Sequence, residues 1–463
     1  MAVETLNYLR FDVNNTPKQG FQASVKMATG ELLIKPLVPG YALLDTRGSQ
    51  FGTCTSEAGR GGYYANRFAK DLERIDNRRE YFARLYGAVV EKTDEAIDIA
   101  GHSGFHEGFG RITEASPDTN RAPVPVLTYA PVIENGQITG LQRRVVTSNF
   151  QEGFKRGGLA VFNPAVVCDT HSDANNIDPK TGWPAQCNRD TNNGHEPKAT
   201  RGHTEAIGTA VQGIVPARLD SLTPVPADLQ VFIEADPARH AILTSVEPMG
   251  CVFQAHGPLL RDGKIPNSIL VIGDGPNALL NLMFYLAFAP DANIVVSGKN
   301  RQKLGMMRKV NPERIVTVAS DGKSYDEVTR ALEATTGNKQ ADIVLPTVAL
   351  PEDIVGPFVK DKGLLIWWAA SIAEHAKGDV PAQKRYNQLH SYGGAPRAEI
   401  SAMALMQGFA QTRPEIFDSL INTPAVHYLP MGEEAAVAVE EWLNAGGKWR
   451  GPDGLSKKLI INM

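Results

Sequence analysis

The spacing of apolar positions changes along the chain, and each change marks a region of different predicted structure. Between about residues 11 and 47, short apolar runs are separated by Gly and Pro, which predicts strands joined by turns. Residues 64–100 combine charges with apolar positions at helical spacing, such as Phe68 and Leu72, which predicts one or two helices. Residues 116–199 are rich in Pro, Gly, Asn and Asp, which predicts loops with a few strands.

From about Ile265, apolar strands alternate with helices. The segments SILVIGDG, ANIVVSG, RIVTVAS, ADIVLPTV and GLLIWWAA each predict a strand, and NALLNLMFYLAF predicts a buried helix. Such alternation predicts a parallel, doubly wound sheet and therefore an α/β fold class. After about Arg397 the pattern predicts helices in AEISAMALMQGFA and GEEAAVAVEEWLNAG, and then a last strand, KKLIIN.

Length and composition are those of an ordinary globular protein with more than one domain. The 463 residues exceed the size at which a single hydrophobic core stops growing, and the net charge of −4 includes no long run of one sign. No apolar run is long enough to span a bilayer, residues 1–10 lack the order of a secretory signal, and four cysteines make no disulfide framework. We therefore expect a cytoplasmic protein without a nucleic-acid or membrane partner.

The most specific motif is a glycine-rich turn between the first strand of the predicted sheet and its apolar helix. Gly273 permits a tight turn, Gly275 lets the backbone approach a pyrophosphate, and Ala278 allows close packing of helix on sheet. Free amides at the helix start would face the phosphates. An ordinary strand–helix turn without a ligand is the alternative. The predicted cofactor-binding residues of this turn are Gly273, Gly275, Pro276, Asn277 and Ala278.

The end of the second strand of the sheet distinguishes NAD from NADP. An acidic residue at this place would bind the ribose hydroxyls of NAD, but the segment contains Ser297, Lys299 and Arg301 instead. A hydroxyl and two cations suit a 2′-phosphate, so we predict that NADP(H) is preferred over NAD(H). The alternative is that both cations are simply solvated.

Three short motifs elsewhere carry the residue types of a zinc site. They are Cys54-Thr55-Ser56-Glu57, the run His106 to Gly110 that contains Glu107, and the pair Glu247-Pro248. Taken alone, each is weak, because a single Cys is usually a small buried hydrophobe and a single Glu is usually solvated. Thiolate, imidazole and carboxylate are nevertheless suitable zinc ligands, and a catalytic site keeps one position open for water or substrate.

Together and in this order, these motifs and the glycine-rich turn resemble the zinc-containing medium-chain dehydrogenase/reductase family, the alcohol and polyol dehydrogenases. The resemblance implies a GroES-like, β-rich catalytic domain and a doubly wound parallel Rossmann domain. It places the catalytic domain at residues 1–252, the Rossmann domain at 253–396, and a C-terminal return to the catalytic domain at 397–463. We expect the active site in the cleft between the domains.

The resemblance also implies the roles of individual residues. Cys54 and His106 would bind zinc, with Glu107 or Glu247 as the third protein ligand, and Ser56 would pass the alcohol proton toward solvent. The expected reaction transfers a hydride between the cofactor and a small alcohol or carbonyl compound, with zinc acidifying the alcohol or polarising the carbonyl. We expect the protein to be a homo-oligomer, a dimer or a tetramer.

The chain departs from the family's pattern in ways that leave the substrate open. The 51 residues between Cys54 and His106 exceed the family's usual interval, and the helical segment 64–100 forms an insertion there. Residues 116–200 form a second insertion, and the family's structural zinc lobe with four cysteines is absent. Two Cys and two His in the second insertion could form another metal site. The alternatives are that all four are plain loop residues or that the two cysteines form a disulfide. These residues are Cys168, His171, Cys187 and His195.

Three functions fit these patterns. The first is a zinc-dependent alcohol dehydrogenase or carbonyl reductase that uses NADP(H). The second is a zinc-free reductase of the same fold, of the enoyl or quinone type, which would deliver hydride to a carbon–carbon double bond. The third is an NADPH-binding protein without turnover. The joint presence of Cys54, His106 and Glu247 favours the first.

Overall fold

The computed structural model describes most of the chain in sixteen stretches. They are residues 1–16, 20–53, 82, 86–103, 107–117, 124–148, 153–162, 207, 209–320, 325–348, 350–368, 387–390, 398–422, 426–445, 450–451 and 457–463. In these stretches the strands are β1 Ala2–Thr16, β2 Gly20–Ile34, β3 Tyr41–Asp45, β4 Gln50–Gly52, β5 Glu107–Ser116, β6 Val124–Glu134, β7 Gln137–Ser148, β8 Leu159–Phe162, β9 Val211–Gln212, β10 Ile214–Arg218, β11 Leu222–Pro224, β12 Ser268–Ile272, β13 Asn293–Gly298, β14 Ile315–Ala319, β15 Ala341–Pro346, β16 Val359–Trp367, β17 Asn387–His390, β18 Val426–Pro430 and β19 Lys458–Asn462.

The helices of the same stretches range from single turns to four turns. They are α1 Asp94–His102, α2 Ala227–Glu234, α3 His240–Leu243, α4 Val246–Ala255, α5 Gly257–Asp262, α6 Pro276–Phe288, α7 Arg301–Val310, α8 Asp326–Thr336, α9 Glu352–Val355, α10 Ala398–Thr412, α11 Asp418–Ile421 and α12 Glu433–Asn444. None of the helices in the described stretches is long and apolar enough to cross a bilayer.

The second half of the chain contains the parallel sheet that the sequence predicts. Its strand order is β14-β13-β12-β15-β16-β17, and every pairing is parallel. All residues of β12 are buried, which explains the continuous apolar run, because helices cover both faces of such a sheet. The predicted α/β, doubly wound class is confirmed. The sixth strand, Asn387–His390, was not predicted, because its sequence NQLH is short and polar.

The strands of the first half of the chain pair antiparallel to one another, and the C-terminal strands β18 and β19, which pair parallel, join them. The largest of these sheets has eight strands, with β10-β3-β5-β4-β19-β18 as its main path and with β8 and β11 attached beside β5. The last strand of the chain, β19, runs antiparallel to β4, and β4 in turn pairs with β5. β19 therefore lies next to β4, which ends two residues before Cys54, and one strand away from β5, which begins one residue after His106.

The N-terminal strands are longer than the apolar spacing predicts. β1 and β2 pair along their whole length, from Ala2 with Ile34 to Thr16 with Gly20. The apolar runs ASVKMA and ELLIKPLV predict a turn between them, around Gly30, but this turn does not occur. This glycine lies inside β2, where a Cβ atom would be only 3.0 Å from the side chain of Ile99 on α1, so its role is close packing of helix on strand.

A hairpin occupies part of the stretch that the sequence predicts to be mostly loop. β6 and β7 are joined at Asn135 and Gly136, whose φ angles of 51° and 75° suit a tight hairpin turn. The hairpin packs against α10, and β7 also contacts α6. It therefore connects the first half of the chain with the helix that follows the glycine-rich turn. In the region predicted as helical, α1 is described, whereas residues 64–81 lie outside the described stretches.

Candidate functional site

The glycine-rich turn has the geometry expected of a dinucleotide site. Gly273 follows β12 with φ +137°, and a Cβ atom at this position would lie 2.0 Å from Oγ1 of Thr347. Only glycine fits such a conformation beside such a neighbour. The Gly273 amide donates to the Ser297 carbonyl over 2.7 Å. The turn is thereby fixed to the carboxyl end of β13, where ligands of open α/β sheets usually bind.

The start of α6 leaves space and donors for an anion. No atom would lie within 4 Å of a Cβ at Gly275, so the backbone there is open to a ligand. Gly275 caps the helix without a side-chain hydrogen bond, and Pro276 is its first residue. Ala278 is fully buried against the sheet. The first amides of α6, which include that of Asn277, are therefore suited to a pyrophosphate.

The end of β13 presents two cations to solvent. Lys299 and Arg301 are exposed, and neither makes a side-chain hydrogen bond or ion pair with the described residues. Ser297, by contrast, is only 1% exposed, and its hydroxyl has no hydrogen-bond partner among those residues. The two cations are thus accessible to a ligand, while the assignment of Ser297, Lys299 and Arg301 to a 2′-phosphate stays a prediction.

A carboxylate also lies at this strand end, although the segment 297–301 has none of its own. Asp274, inside the glycine-rich turn, accepts hydrogen bonds from the amides of Lys299 and Asn300 through the same oxygen, Oδ2, each over 2.7 Å. The two strand ends are adjacent because Ile272 is the register partner of Ser297. Sequence reasoning missed this contact, because it considered only the residues that follow β13.

The first of the two candidate zinc-binding glutamates is engaged in an ion pair. Glu107 begins β5, and its Oε2 lies 2.5 Å from Nζ of Lys458 on β19. The side chains are 3% and 11% exposed, respectively. Gly52, the register partner of Glu107, makes room for this pair, since a Cβ there would lie 2.6 Å from Cε of Lys458.

The second candidate glutamate lies in the first turn of α4. Glu247 is only 4% exposed, and its Oε1 accepts a hydrogen bond from the thiol of Cys251 one turn later, over 3.2 Å. Lys458 donates to the carbonyl of Thr244, three residues before Glu247, over 3.3 Å. Lys458 therefore bridges Glu107 and the chain segment that leads into α4.

The remaining predicted site residues lie outside the described stretches. This applies to Cys54, Ser56 and His106, and to the four residues of the possible second metal site. Within the described stretches, no three His, Cys, Asp or Glu side chains come together to hold a metal ion. Gly52 ends β4, Glu107 begins β5, and the two are register partners in antiparallel strands. The chain therefore leaves β4 before Cys54 at the same end of the strand pair at which it enters β5 after His106.

Comparison with solved structures identifies the fold. An alcohol dehydrogenase from Thermotoga maritima is 13% identical, with 99% of each chain covered and a TM-score of 0.56. A protein from Sinorhizobium meliloti 1021, provisionally described as a zinc-binding dehydrogenase and bound to NADP, is 14% identical over 99% of each chain, with a TM-score of 0.54. A short chain alcohol dehydrogenase from Escherichia coli CFT073, complexed with NADH, is 12% identical over 99% of each chain, with a TM-score of 0.52.

This chain has the alcohol dehydrogenase fold. The two-part architecture that the sequence motifs imply, a GroES-like part and a Rossmann part, is confirmed at this level. No protein-family model matches the sequence, and no curated protein matches it either. At 12–14% identity the likeness concerns the fold, so the chemistry has to be argued from the residues of the site.

Proposed function

We propose that this protein is a zinc-dependent oxidoreductase of the medium-chain dehydrogenase/reductase family that transfers a hydride between NADP(H) and a small alcohol or carbonyl compound. The observation that carries the proposal is the open glycine-rich turn at the carboxyl end of β12. Three features of this turn suit a phosphate group: Gly273 packs closely against Thr347, space is free beside Gly275, and no side chain caps the start of α6.

The nicotinamide cofactor, when bound, supplies or accepts the hydride. The protein would hold it through the amides at the start of α6, which would bind the pyrophosphate, and through Gly275, which would let the backbone come close. Lys299 and Arg301 attract a 2′-phosphate, because both are exposed cations at the end of β13. These two residues support the finer proposal that NADP(H) is preferred over NAD(H).

Zinc fits the donor types of the proposed site, a thiolate, an imidazole and a carboxylate. Cys54 and His106 would hold it together with Glu247, and it would supply Lewis acidity to the substrate oxygen. Glu247 is favoured over Glu107 as the third ligand, because the positive charge of Lys458 beside Glu107 opposes a metal ion, whereas Glu247 is hydrogen-bonded to the thiol of Cys251. Ser56 would move the alcohol proton toward solvent.

The test combines metal analysis, binding and turnover. Purified protein should contain one catalytic zinc per chain and should turn over members of a panel of alcohols, aldehydes and ketones. Cys54→Ala should lose that zinc and abolish turnover, while the affinity for NADPH, measured by calorimetry, stays near that of the wild type. NADPH binding is the internal control, because the glycine-rich turn follows β12 of the parallel sheet, whereas Cys54 comes in the sequence after β4 of the antiparallel sheet.

Three results would contradict the proposal. Wild-type turnover by Cys54→Ala would show that Cys54 is no metal ligand. Reduction of enones by zinc-free protein would instead support the zinc-free reductase of the same fold. Binding of NADPH without turnover of any panel member would favour the non-catalytic alternative.

A further inference from the structure

The side chain of Asp274 occupies the place at which a side chain of residue 298 would begin. Gly298 is the last residue of β13, and a Cβ atom there would lie 2.6 Å from Cβ of Asp274 and 2.7 Å from its Oδ2. A residue with any side chain at 298 would therefore collide with Asp274. The end of the second strand, β13, thus has no acidic residue of its own. The carboxylate at this place comes instead from Asp274 in the preceding turn, and Gly298 leaves the space for it.

The hydrogen bonds of Asp274 hold its carboxylate in this place. Its Oδ2 accepts the amides of Lys299 and Asn300, both over 2.7 Å. Oδ1 accepts no hydrogen bond from the described residues, and the residue is partly exposed. One oxygen is therefore used to fix the loop, and the other remains able to accept a hydrogen bond from a ligand.

The local charge at this strand end is consequently mixed. Lys299 and Arg301 are exposed cations. The Asp274 carboxylate is hydrogen-bonded to the backbone amides between β13 and α7. Lys299 and Arg301 attract a phosphate monoester, and the Asp274 carboxylate repels it. A hydroxyl group, in contrast, can donate a hydrogen bond to this carboxylate.

We propose that Asp274 is a specificity-determining residue that limits the preference for NADP(H) and permits the use of NAD(H). Its carboxylate accepts a hydrogen bond from the adenosine ribose of NAD(H). The same carboxylate repels the 2′-phosphate of NADP(H), which Lys299 and Arg301 attract. This inference rests on the proposed function, since it assumes that the glycine-rich turn binds a nicotinamide dinucleotide.

The experiment measures the dissociation constants of NADPH and NADH by calorimetry for the wild type, Asp274→Asn and Asp291→Asn. Asparagine keeps an oxygen that can accept the amides of Lys299 and Asn300 but removes the charge. Asp274→Asn should bind NADPH about tenfold more tightly, the size expected for removing one nearby like charge, and should bind NADH no more tightly than the wild type does. Asp291 is exposed and precedes β13 at the opposite end of the strand, so its variant should leave both constants unchanged.

The outcomes separate the two proposals. If the wild type binds neither dinucleotide, the proposed function fails. If it binds both, and Asp274→Asn changes both constants equally or changes neither, the role of Asp274 is refuted while the proposed function stands. Should Asp274→Asn fold poorly, Asp274→Ser removes the same charge and must produce the same selective gain for NADPH.

Discussion

Lys458 and Glu107 are 351 positions apart in the sequence, and they form a nearly buried ion pair with 2.5 Å between Nζ and Oε2. The strands that carry them, β19 and β5, lie on either side of β4. The last strand of the chain therefore supplies the counter-charge for a carboxylate adjacent in sequence to His106. Removing either partner alone would leave the other charge buried without compensation.

Lys458→Met should therefore lower the free energy of unfolding by about 3–5 kcal/mol, measured by denaturant titration at neutral pH. Lys35→Met is the matched control, since Lys35 pairs with Glu91 at 3.0 Å with both side chains more exposed, at 29% and 47%. Lys35→Met should lower the free energy of unfolding by less than about 1 kcal/mol. Adding Glu107→Gln to Lys458→Met should recover part of the loss. If both lysine variants lowered the free energy of unfolding by the same small amount, the ion pair of Lys458 and Glu107 would contribute no more to stability than an exposed pair does.

Arg301→Ala should raise the Michaelis constant for NADPH about tenfold, which corresponds to about 1.4 kcal/mol, with little change for NADH. Lys299→Ala should act in the same direction but more weakly, because an ammonium group is a point charge rather than a planar fork. Arg308→Ala is the control, because Arg308 is exposed near the other end of α7. Equal catalytic efficiencies of the wild type with the two cofactors, together with no selective loss in either variant, would argue that NAD(H) is the cofactor.

The parallel sheet could be predicted because its strands are apolar on both faces. β12 and β15 are buried along nearly their whole length, and the resulting runs stand out from the helices between them. β6 was harder to predict, since frequent Pro and polar residues in this region are typical of loops. Its one clear signal was Asn135-Gly136 between two runs with apolar residues, a pair that favours a tight hairpin turn.

Contacts between distant residues limit what the sequence predicts about the site. Gly273 and Gly275 carry their own conformational signal, so the turn could be found. Asp274 meets Lys299 only because β12 and β13 are neighbours, and an acidic residue between the two glycines was the available clue. The pairing of Lys458 with Glu107 depends on the sheet order around β4, which no local pattern encodes.

Ser401→Ala should destabilise the protein by about 1–3 kcal/mol, because it leaves a buried donor unsatisfied. The Ser401 hydroxyl on α10 accepts the amide of Tyr129 on β6 over 2.9 Å and lies 3.0 Å from Oγ1 of Thr128. Thr412→Ala on the same helix is the control, since the Thr412 hydroxyl bonds back to the Gly408 carbonyl of its own helix and should be nearly neutral. Thermal unfolding compares the two variants. Similar melting temperatures would show that the hairpin contributes no net stability through Ser401.

His256 joins two helices in the core and should make stability depend on pH. It is fully buried: its Nδ1 donates to the Val252 carbonyl on α4 and its Nε2 accepts the Tyr285 hydroxyl on α6, both over 2.8 Å. These partners fit the neutral imidazole. Burial lowers the pKa of His256 from 6.5 to about 4, because the charged form would lose its hydration.

The depressed pKa sets the sign of the pH dependence. Between pH 6.5 and about 4 the unfolded chain binds a proton that folded His256 does not, so acidification favours unfolding. His256 alone should lower the free energy of unfolding by about 2 kcal/mol from pH 7 to pH 5. His256→Gln should be less stable than the wild type at pH 7 but should lack this part of the pH slope. Tyr285→Phe is the control, because it removes the partner hydroxyl and keeps the buried imidazole, so the slope should persist. An unchanged slope in His256→Gln, measured by denaturant titration at both pH values, would assign the acid sensitivity to other groups.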